Sequence, residues 1–385
     1  MRRLAAAGRR LGPHALLVCG VGRLAADVHE NLGRSTGLPD FRIYRLAGQA
    51  VLHGRSPYAP LASIHSVASA GFVYPAPAAY AMAPFGLLGF RAAAVLFVGV
   101  AAAAALLSLR LLGVRDARCY GLALLLMPVS TALTTGTVST LLLLGAAVVW
   151  RFRQRTGAPA LGLAAALMLK PLLWPLVVWL AATRRWRSAA LCAATAAAGT
   201  AASYALLHLD PASSYVRLVR AATAAEGDDS YSLYALASRL GLPSALAAAE
   251  LLGGVLLAAV WLVARCDERR GFVLAVAATL ALAPILWVNA FVLLLVPIAF
   301  AAPRLAWLWA LPVLLGPLGL HAYDPPLGSL VLVWIVAGAA FAQGLTGGRL
   351  ARFRAAEPFA AAAAAASAVS AESRSTATAP AGVVQ

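Results

Sequence analysis

Residues 188–208 read SAALCAATAAAGTAASYALLH, a block of small and apolar residues that lies between Arg187 and Asp210. A helix of about 20 residues is long enough to cross the ~30 Å hydrocarbon layer of a bilayer. Backbone N–H and C=O groups cannot stay unpaired in lipid, so a segment of this kind crosses the membrane as a helix. We therefore predict a membrane-spanning helix here.

The same pattern recurs along the chain. Of the 385 residues, 62% are hydrophobic and 12% are charged, and the mean hydropathy is +0.82. A soluble domain carries about 25% charged residues. The alternating pattern of outer-membrane strands is missing. The composition therefore predicts an all-α polytopic membrane protein with about ten to twelve transmembrane helices and a long first outer loop.

The formal net charge of +17 would suggest nucleic-acid binding in a soluble protein. Here the arginines stand in short clusters between apolar blocks, which is typical of the cytoplasmic loops of membrane proteins. The clusters are Arg110, Arg115 and Arg118; Arg151, Arg153 and Arg155; Arg184, Arg185 and Arg187; Arg265, Arg269 and Arg270; Arg304; and Arg349, Arg352 and Arg354. We predict that all of them face the cytoplasm and that the chain has no nucleic-acid partner.

The clusters also divide the chain. The predicted parts are a cytoplasmic N-terminus with a first span (1–28), an outer loop with amphipathic helices (29–91), a helical bundle (92–348) with a second outer loop (209–244), and a disordered cytoplasmic tail (349–385). Further spans are predicted at about 92–112, 118–136, 138–150, 157–169, 171–183, 188–208, 245–264, 271–284, 286–302, 305–321 and 327–343. The first span could instead be a signal peptide, but the poor cleavage site LAAD favours a retained anchor.

The most informative candidate functional residues lie in the first outer loop, in the stretch PDFRIYRLAGQAVLHGRSPY (39–58). This stretch predicts a helix that begins near Asp40 and is broken by Gly54 and Pro57. One interpretation is that Asp40 is only the N-cap of this helix. The other is that its carboxylate, at the mouth of a membrane cavity, is a general base that deprotonates an acceptor hydroxyl.

Lys170 is the only lysine, and it stands between two apolar blocks just before Pro171. A lysine within a span costs about 2.5–3.5 kcal/mol on insertion scales. Its ammonium either reaches the membrane interface or faces a cavity that receives an anion. A phosphate that gains negative charge as it leaves would be such an anion.

Six segments resemble glycosyltransferase family 87 in their order along residues 30–300. They are D-x-x-I-Y with G-x-x-P-Y (40–58), FVYPAPAAYAMAPFGLL (72–88), TGTVSTLLLL (135–144), GLAAALMLKPLLWPL (162–176), DDSYSLYALASRL (228–240) and PILWVNAFVLLLVPI (284–298). Members of this family are C-type, polyprenyl-phosphate-sugar-dependent membrane transferases, and they include actinobacterial mannosyltransferases. The resemblance implies a C-type glycosyltransferase-like fold with its active site on the extracytoplasmic side of the plasma membrane.

The resemblance also implies the chemistry. A polyprenyl-phosphate sugar, with mannose expected, would enter from the lipid and pass its sugar with inversion to a lipid or cell-wall glycan acceptor. Asp40 would be the general base, and Lys170, with Arg42 and Arg45, would bind the donor phosphate. Tyr44, Tyr58, Tyr74, Ser232, Trp287 and Asn289 would line the substrate cavity. We predict no cofactor, and because no cluster of metal-ligating residues is present, we predict metal-independent catalysis.

Some family positions differ in this chain. Thr137 and Ser139 stand where the family has Gln and Asn, Ser230 and Tyr231 stand where it has Asn and Gln, and Asn289 is the polar residue nearest to an expected His. A catalytically inactive member that serves as an assembly partner is therefore one alternative. A transporter or lipid flippase is another, although no internal repeat of the transporter kind is visible.

Overall fold

A computed structural model of the chain describes residues 2–34, 37–58, 71–210, 215–242, 244–320 and 324–347. Every regular element in these ranges is a helix, which confirms the all-α prediction. The predicted disordered tail (349–385) lies outside the described residues.

The described residues of the N-terminal third of the chain form six α-helices. They are α1 (Arg2–Gly33), α2 (Pro39–Leu52), α3 (Ala76–Gly86), α4 (Phe90–Leu111), α5 (Ala117–Leu125) and α6 (Met127–Thr135). The predicted first span lies inside α1, where Arg23 and Asp27 form an ion pair of 2.7 Å one turn apart. Helix α2 packs closely on α3, since a Cβ placed on Gly48 would lie 2.5 Å from the Met82 carbonyl oxygen.

The remaining helices follow at short intervals. They are α7 (Ser139–Arg151), α8 (Gly157–Leu169), α9 (Pro175–Ala182), α10 (Trp186–Leu206), α11 (Arg217–Glu226), α12 (Leu233–Arg239), α13 (Ala245–Ala264), α14 (Glu268–Ala281), α15 (Leu295–Ala301) and α16 (Leu327–Thr346). The described residues also form 3-10 helices at Pro171–Leu173, Val288–Leu294 and Trp307–Leu320. Most of these bounds agree with the predicted spans to within a few residues.

Four of the described helices are long and apolar enough to cross a membrane, namely α4, α10, α13 and α16. A fifth span results if α5 and α6, which meet at 62°, are taken as one broken helix. Other predicted spans are shorter apolar helices, such as α7 and α8. Prolines at helix starts, for example Pro171 and Pro175, divide the apolar blocks. The chain is therefore a membrane-embedded helical protein, and the count of ten to twelve spans stays a prediction.

The connections that carry the arginine clusters between Arg110 and Arg304 meet at one end of the bundle, and the cluster at 349–354 lies outside the described residues. The Arg115 N–H donates to the Pro303 carbonyl at 3.1 Å. Arg153 and Arg185 both pair with Glu268, at 3.2 and 2.7 Å. These contacts join connections that lie far apart in the sequence, as the charge pattern predicts. The opposite end, where α2, α3, α6 and α8 come together, carries the polar residues described next.

Candidate functional site

Asp40 lies in the first turn of α2 and is not the N-cap residue. That position belongs to Leu38, a buried residue in the left-handed region (φ 50°) whose side chain makes no capping hydrogen bond. The prediction that Asp40 acts only as a cap is therefore wrong. A carboxylate in the first turn is still stabilised by the positive end of the helix dipole.

The surroundings of Asp40 are mostly closed to solvent. Burial raises the pKa of Asp40 to about 6, against the attraction of Lys170 and a hydrogen bond from Thr135, which both lower it. Thr135 reaches Asp40 because the chain turns at Gly136 (φ 75°), where a Cβ would lie 2.6 Å from the Cβ of Phe41. The close approach of α6 to α2 at this glycine thus places Thr135 beside the carboxylate.

Lys170 lies at the break between α8 and the following 3-10 helix, in an extended backbone conformation (φ −155°, ψ 122°). Its Nζ atom lies 5.5 Å from the centre of the Tyr74 ring. The ammonium interacts electrostatically with two carboxyl groups, Asp40 and Glu226. Asp40 and Lys170 therefore lie near each other, and a second acidic residue joins them.

A cavity of about 190 Å³ opens in front of Lys170. Its polar lining consists of Tyr74, Lys170, Tyr215, Thr223, Glu226, Thr279 and Trp287. Its other lining residues are apolar, and among them Trp174 is 41% exposed at the surface of the bundle. An apolar cavity with a few convergent polar groups is the usual form of a small-molecule site.

Glu226, the last residue of α11, was not among the predicted site residues. Its side chain is 4% exposed and lines the cavity. Burial and the nearby charge of Asp229 raise the pKa of Glu226 to about 7, and Lys170 partly offsets this shift. The signal in the sequence was periodicity, because Leu218, Ala222 and Glu226 share one buried face at i, i+4 and i+8.

Two of the predicted tyrosines lie against the site, and a third lies further away. The rings of Tyr44 and Tyr74 meet edge to face with centroids 4.9 Å apart. No hydrogen bond of ordinary length and angle reaches the buried Tyr44 hydroxyl in the described part of the chain. The hydroxyl of Tyr58 donates to the Tyr74 carbonyl at 3.1 Å and lies 2.8 Å from the Tyr204 hydroxyl. Tyr58 therefore ties the first outer loop to α10 and does not line the cavity.

The structure separates Arg42 and Arg45 from the cavity. Arg42 donates to the Gly37 carbonyl at 2.8 Å and covers the Phe90 ring. Arg45 donates to the Leu88 carbonyl at 2.7 Å. At 100° per residue, both side chains point roughly 140–160° away from Asp40 around α2. The helical phase thus corrects the prediction that these two arginines bind the donor phosphate.

Of the three other predicted cavity residues, only Trp287 lines the cavity. Ser232 is the N-cap of α12, and its hydroxyl accepts from the Ala235 N–H at 3.1 Å. Asn289 is buried, and its Oδ1 accepts a 2.8 Å hydrogen bond from the Ser139 hydroxyl. Two positions at which the chain differs from the family pattern therefore bond to each other.

No group of three or more His, Cys, Asp or Glu side chains in the described ranges is placed to hold a metal ion. The groups available for chemistry are a buried cation and two carboxyl groups with raised pKa values. Such an arrangement can take a proton at one carboxylate and stabilise an anionic leaving group at the ammonium.

Comparison with known proteins gives one match. The model of a family described as glycosyltransferase family 87 matches residues 72–309. No curated protein and no solved structure matches the chain. The matched region includes Tyr74, Lys170, Glu226 and Trp287, whereas Asp40 lies before it.

Proposed function

The chain belongs to glycosyltransferase family 87 and is a membrane glycosyltransferase, and from this membership we propose a specific reaction. The donor is a polyprenyl-phosphate sugar, with mannose as the sugar. The acceptor is a hydroxyl group of a lipid or a cell-wall glycan. Transfer inverts the anomeric configuration and takes place at the extracytoplasmic side of the plasma membrane.

The observation that supports this proposal best is Lys170 at the wall of the cavity, close enough to the carboxyl groups of Asp40 and Glu226 to interact with both electrostatically. As the acceptor oxygen bonds to the anomeric carbon, the bond from that carbon to the phosphate oxygen breaks. The phosphate leaves with the polyprenyl chain and gains negative charge. The ammonium of Lys170, which is enclosed and has no need to reorganise, stabilises that charge in the transition state.

The proton of the acceptor hydroxyl must pass to a base. We assign this role to Asp40, whose ionised form is retained at neutral pH because its pKa is about 6. Glu226 lies directly on the cavity surface and is the alternative base. Its higher pKa, about 7, leaves a larger protonated fraction, which suits hydrogen-bond donation to the sugar or phosphate better than proton abstraction.

The cavity lining also suits a lipid-linked donor. Pro171, Leu172 and Trp174 lie on the same lining as Lys170. The 41% exposure of Trp174 places an apolar side chain at the rim, where the bundle faces lipid. A prenyl chain can lie along this rim while its phosphate reaches the ammonium.

The test is transfer of radiolabelled mannose from polyprenyl-phosphate mannose, in membranes that contain wild type or Asp40→Ala. We expect label in a glycolipid or glycan with wild type only, and a product of inverted configuration. An arabinose donor tested in parallel checks the sugar. If wild type transfers neither sugar, the reaction proposed here is wrong, and the inactive-partner and transporter alternatives gain weight.

One observation bears on the inactive alternative. Ser139 and Asn289, two of the departures from the family pattern, bond to each other away from the cavity lining. The changes at these positions therefore leave Lys170, Tyr74 and Trp287 in place on the cavity lining. This arrangement favours an active enzyme over an inactive assembly partner.

A further inference from the structure

A groove at the arginine-rich end of the bundle, opposite the site, has no part in the reaction proposed above. It has a volume of about 390 Å³ and is lined by residues 153–156 and 184–188. The first stretch is the α7–α8 connection, and the second comprises the end of the α9–α10 connection and the first turn of α10. Five of the nine lining residues are arginines: Arg153, Arg155, Arg184, Arg185 and Arg187.

The charge of this groove is only partly balanced. Glu268 pairs with Arg153 and with Arg185, so a single carboxylate serves two guanidinium groups. Arg155, Arg184 and Arg187 make no ion pair within the described ranges, and all three are exposed. Like charges held this close repel each other, so the groove favours a bound anion.

Arg185 supplies a second observation that points to a ligand. Its side chain is 12% exposed and donates to Glu268 through Nη2 and to the Arg153 carbonyl through Nε. Its Nη1 is buried with no acceptor among the described residues. A buried guanidinium nitrogen without an acceptor is unfavourable. Because Nη1 is closed to solvent and the guanidinium covers the Trp179 ring at 5.4 Å, the side chain must shift toward the groove before a phosphate oxygen can accept from it.

The aromatic residues beside the groove indicate where it lies in the membrane. Trp186 lines the groove, is 55% exposed, and packs against Trp261 with ring centroids 6.1 Å apart. Arg265 covers the Trp261 ring at 4.7 Å. Exposed tryptophans next to arginines mark the level of the lipid headgroups. The positive-inside rule explains the side on which these arginines lie, but not their convergence into one groove.

We propose that this groove binds the phosphate of an anionic phospholipid headgroup from the adjoining leaflet. Arg184 and Arg187 contact the phosphate, and Arg185 Nη1 donates to it. The acyl chains lie along the exposed apolar faces of α10 and α13 next to Trp186. Basic pockets between transmembrane helices are known to bind such headgroups.

The test measures lipid binding to the purified full chain in neutral detergent. Phosphatidylglycerol is titrated against wild type, Arg184→Gln/Arg187→Gln, and the control Arg110→Gln/Arg304→Gln. The control removes the same charge from exposed arginines at the same end of the molecule, outside the groove. Bound lipid is counted by native mass spectrometry, and the unfolding midpoint is recorded with and without lipid.

We expect saturable binding of phosphatidylglycerol by wild type, with phosphatidylcholine at least tenfold weaker. Affinity should fall at least fivefold in the groove variant and stay within twofold of wild type in the control. If the double variant does not fold, the single Arg187→Gln, at an exposed position in the first turn of α10, gives the same comparison.

Equal losses of affinity for phosphatidylglycerol in the groove variant and the control would overturn the proposal, since they would show that the whole basic end attracts the lipid without a specific site. Equal affinity of the wild-type protein for phosphatidylcholine and phosphatidylglycerol would also overturn the proposal. Displacement of the lipid by millimolar inorganic phosphate would show that a soluble phosphate, and not a lipid, occupies the groove.

Discussion

The proposed role of Asp40 as general base can be tested with a substitution that keeps the shape of the side chain. Asp40→Asn removes the proton acceptor, and we expect the rate of transfer to fall about 10²–10⁴-fold with little change in the KM for the donor. Glu226→Gln keeps a hydrogen-bonding side chain on the cavity wall and should lower the rate less than tenfold. Asp228→Asn, an exposed carboxylate two residues away from Glu226, is the control. If Glu226→Gln lowers the rate of transfer more than Asp40→Asn does, Glu226 is the base.

The raised pKa values predict opposite effects of pH on activity and on stability. Activity should rise with pH through a midpoint near 6, where Asp40 ionises. In the folded state Asp40 and Glu226 bind protons up to about pH 6 and 7, above their ordinary values of 3.8 and 4.5. The folded protein thus binds more protons than the unfolded chain in this window, so the free energy of unfolding falls from about pH 4 to pH 7. Unfolding midpoints recorded across this window check the sign, and Asp40→Asn should flatten the slope.

Lys170 is expected to act in the transition state. Lys170→Gln should lower kcat on the order of 100-fold, because the leaving phosphate loses its stabilising charge. Lys170→Arg keeps the charge and should retain more activity than Lys170→Gln. Equal activity of the two variants would show that shape, and not charge, matters here. Single-turnover rates with the labelled donor separate this loss from weaker donor binding.

Residue types alone predicted part of this site. Lys170 is conspicuous as a lysine between two apolar blocks, whereas the role of Asp40 as base is predicted mainly by the resemblance to glycosyltransferase family 87. Arg42 and Arg45 were assigned by charge without regard to helical phase, and the phase of α2 turns them away from Asp40. Glu226 lies in the predicted outer loop 209–244 and is not among the predicted site residues, although its spacing from Leu218 and Ala222 marks a buried face.

At the scale of helices, the turn at the end of α6 positions Asp40, the proposed base. Gly136 has φ 75°, and a Cβ there would lie 2.6 Å from the Cβ of Phe41. Gly136→Ala should therefore displace α2, lower activity at least tenfold and destabilise the protein by about 1 kcal/mol or more. Gly157→Ala, at the start of α8 with open space around it, is the matched control. Activity assays with thermal unfolding of both variants test this.

The positions of the helices were more predictable than their lengths. The predicted span 157–169 coincides with α8, and 188–208 differs from α10 by two residues at each end. Apolar blocks locate helices well because each block must be helical in lipid. Where a helix breaks depends on local features such as Pro128, which follows a break at Leu126 inside the predicted span 118–136, and a hydropathy pattern does not resolve such a break.

At the scale of the whole molecule, the two ends should face opposite sides of the membrane. Cys266 is exposed at the arginine-rich end, and Asp228 is exposed near the site. In a Cys19→Ser background, a membrane-impermeant thiol reagent should label Asp228→Cys/Cys266→Ser in intact cells. It should label native Cys266 only after permeabilisation. Labelling of both in intact cells would contradict the predicted orientation.

The hydrogen bond between Ser139 and Asn289 determines which substitutions at these two positions the protein can tolerate. Restoring Asn at position 139 alone would crowd a second amide against Asn289. Restoring His at position 289 alone would replace the amide oxygen that the Ser139 hydroxyl reaches by a larger ring in a buried site. Each reversion should therefore be harmful by itself and tolerated when both are made together, which is epistasis between residues 150 positions apart.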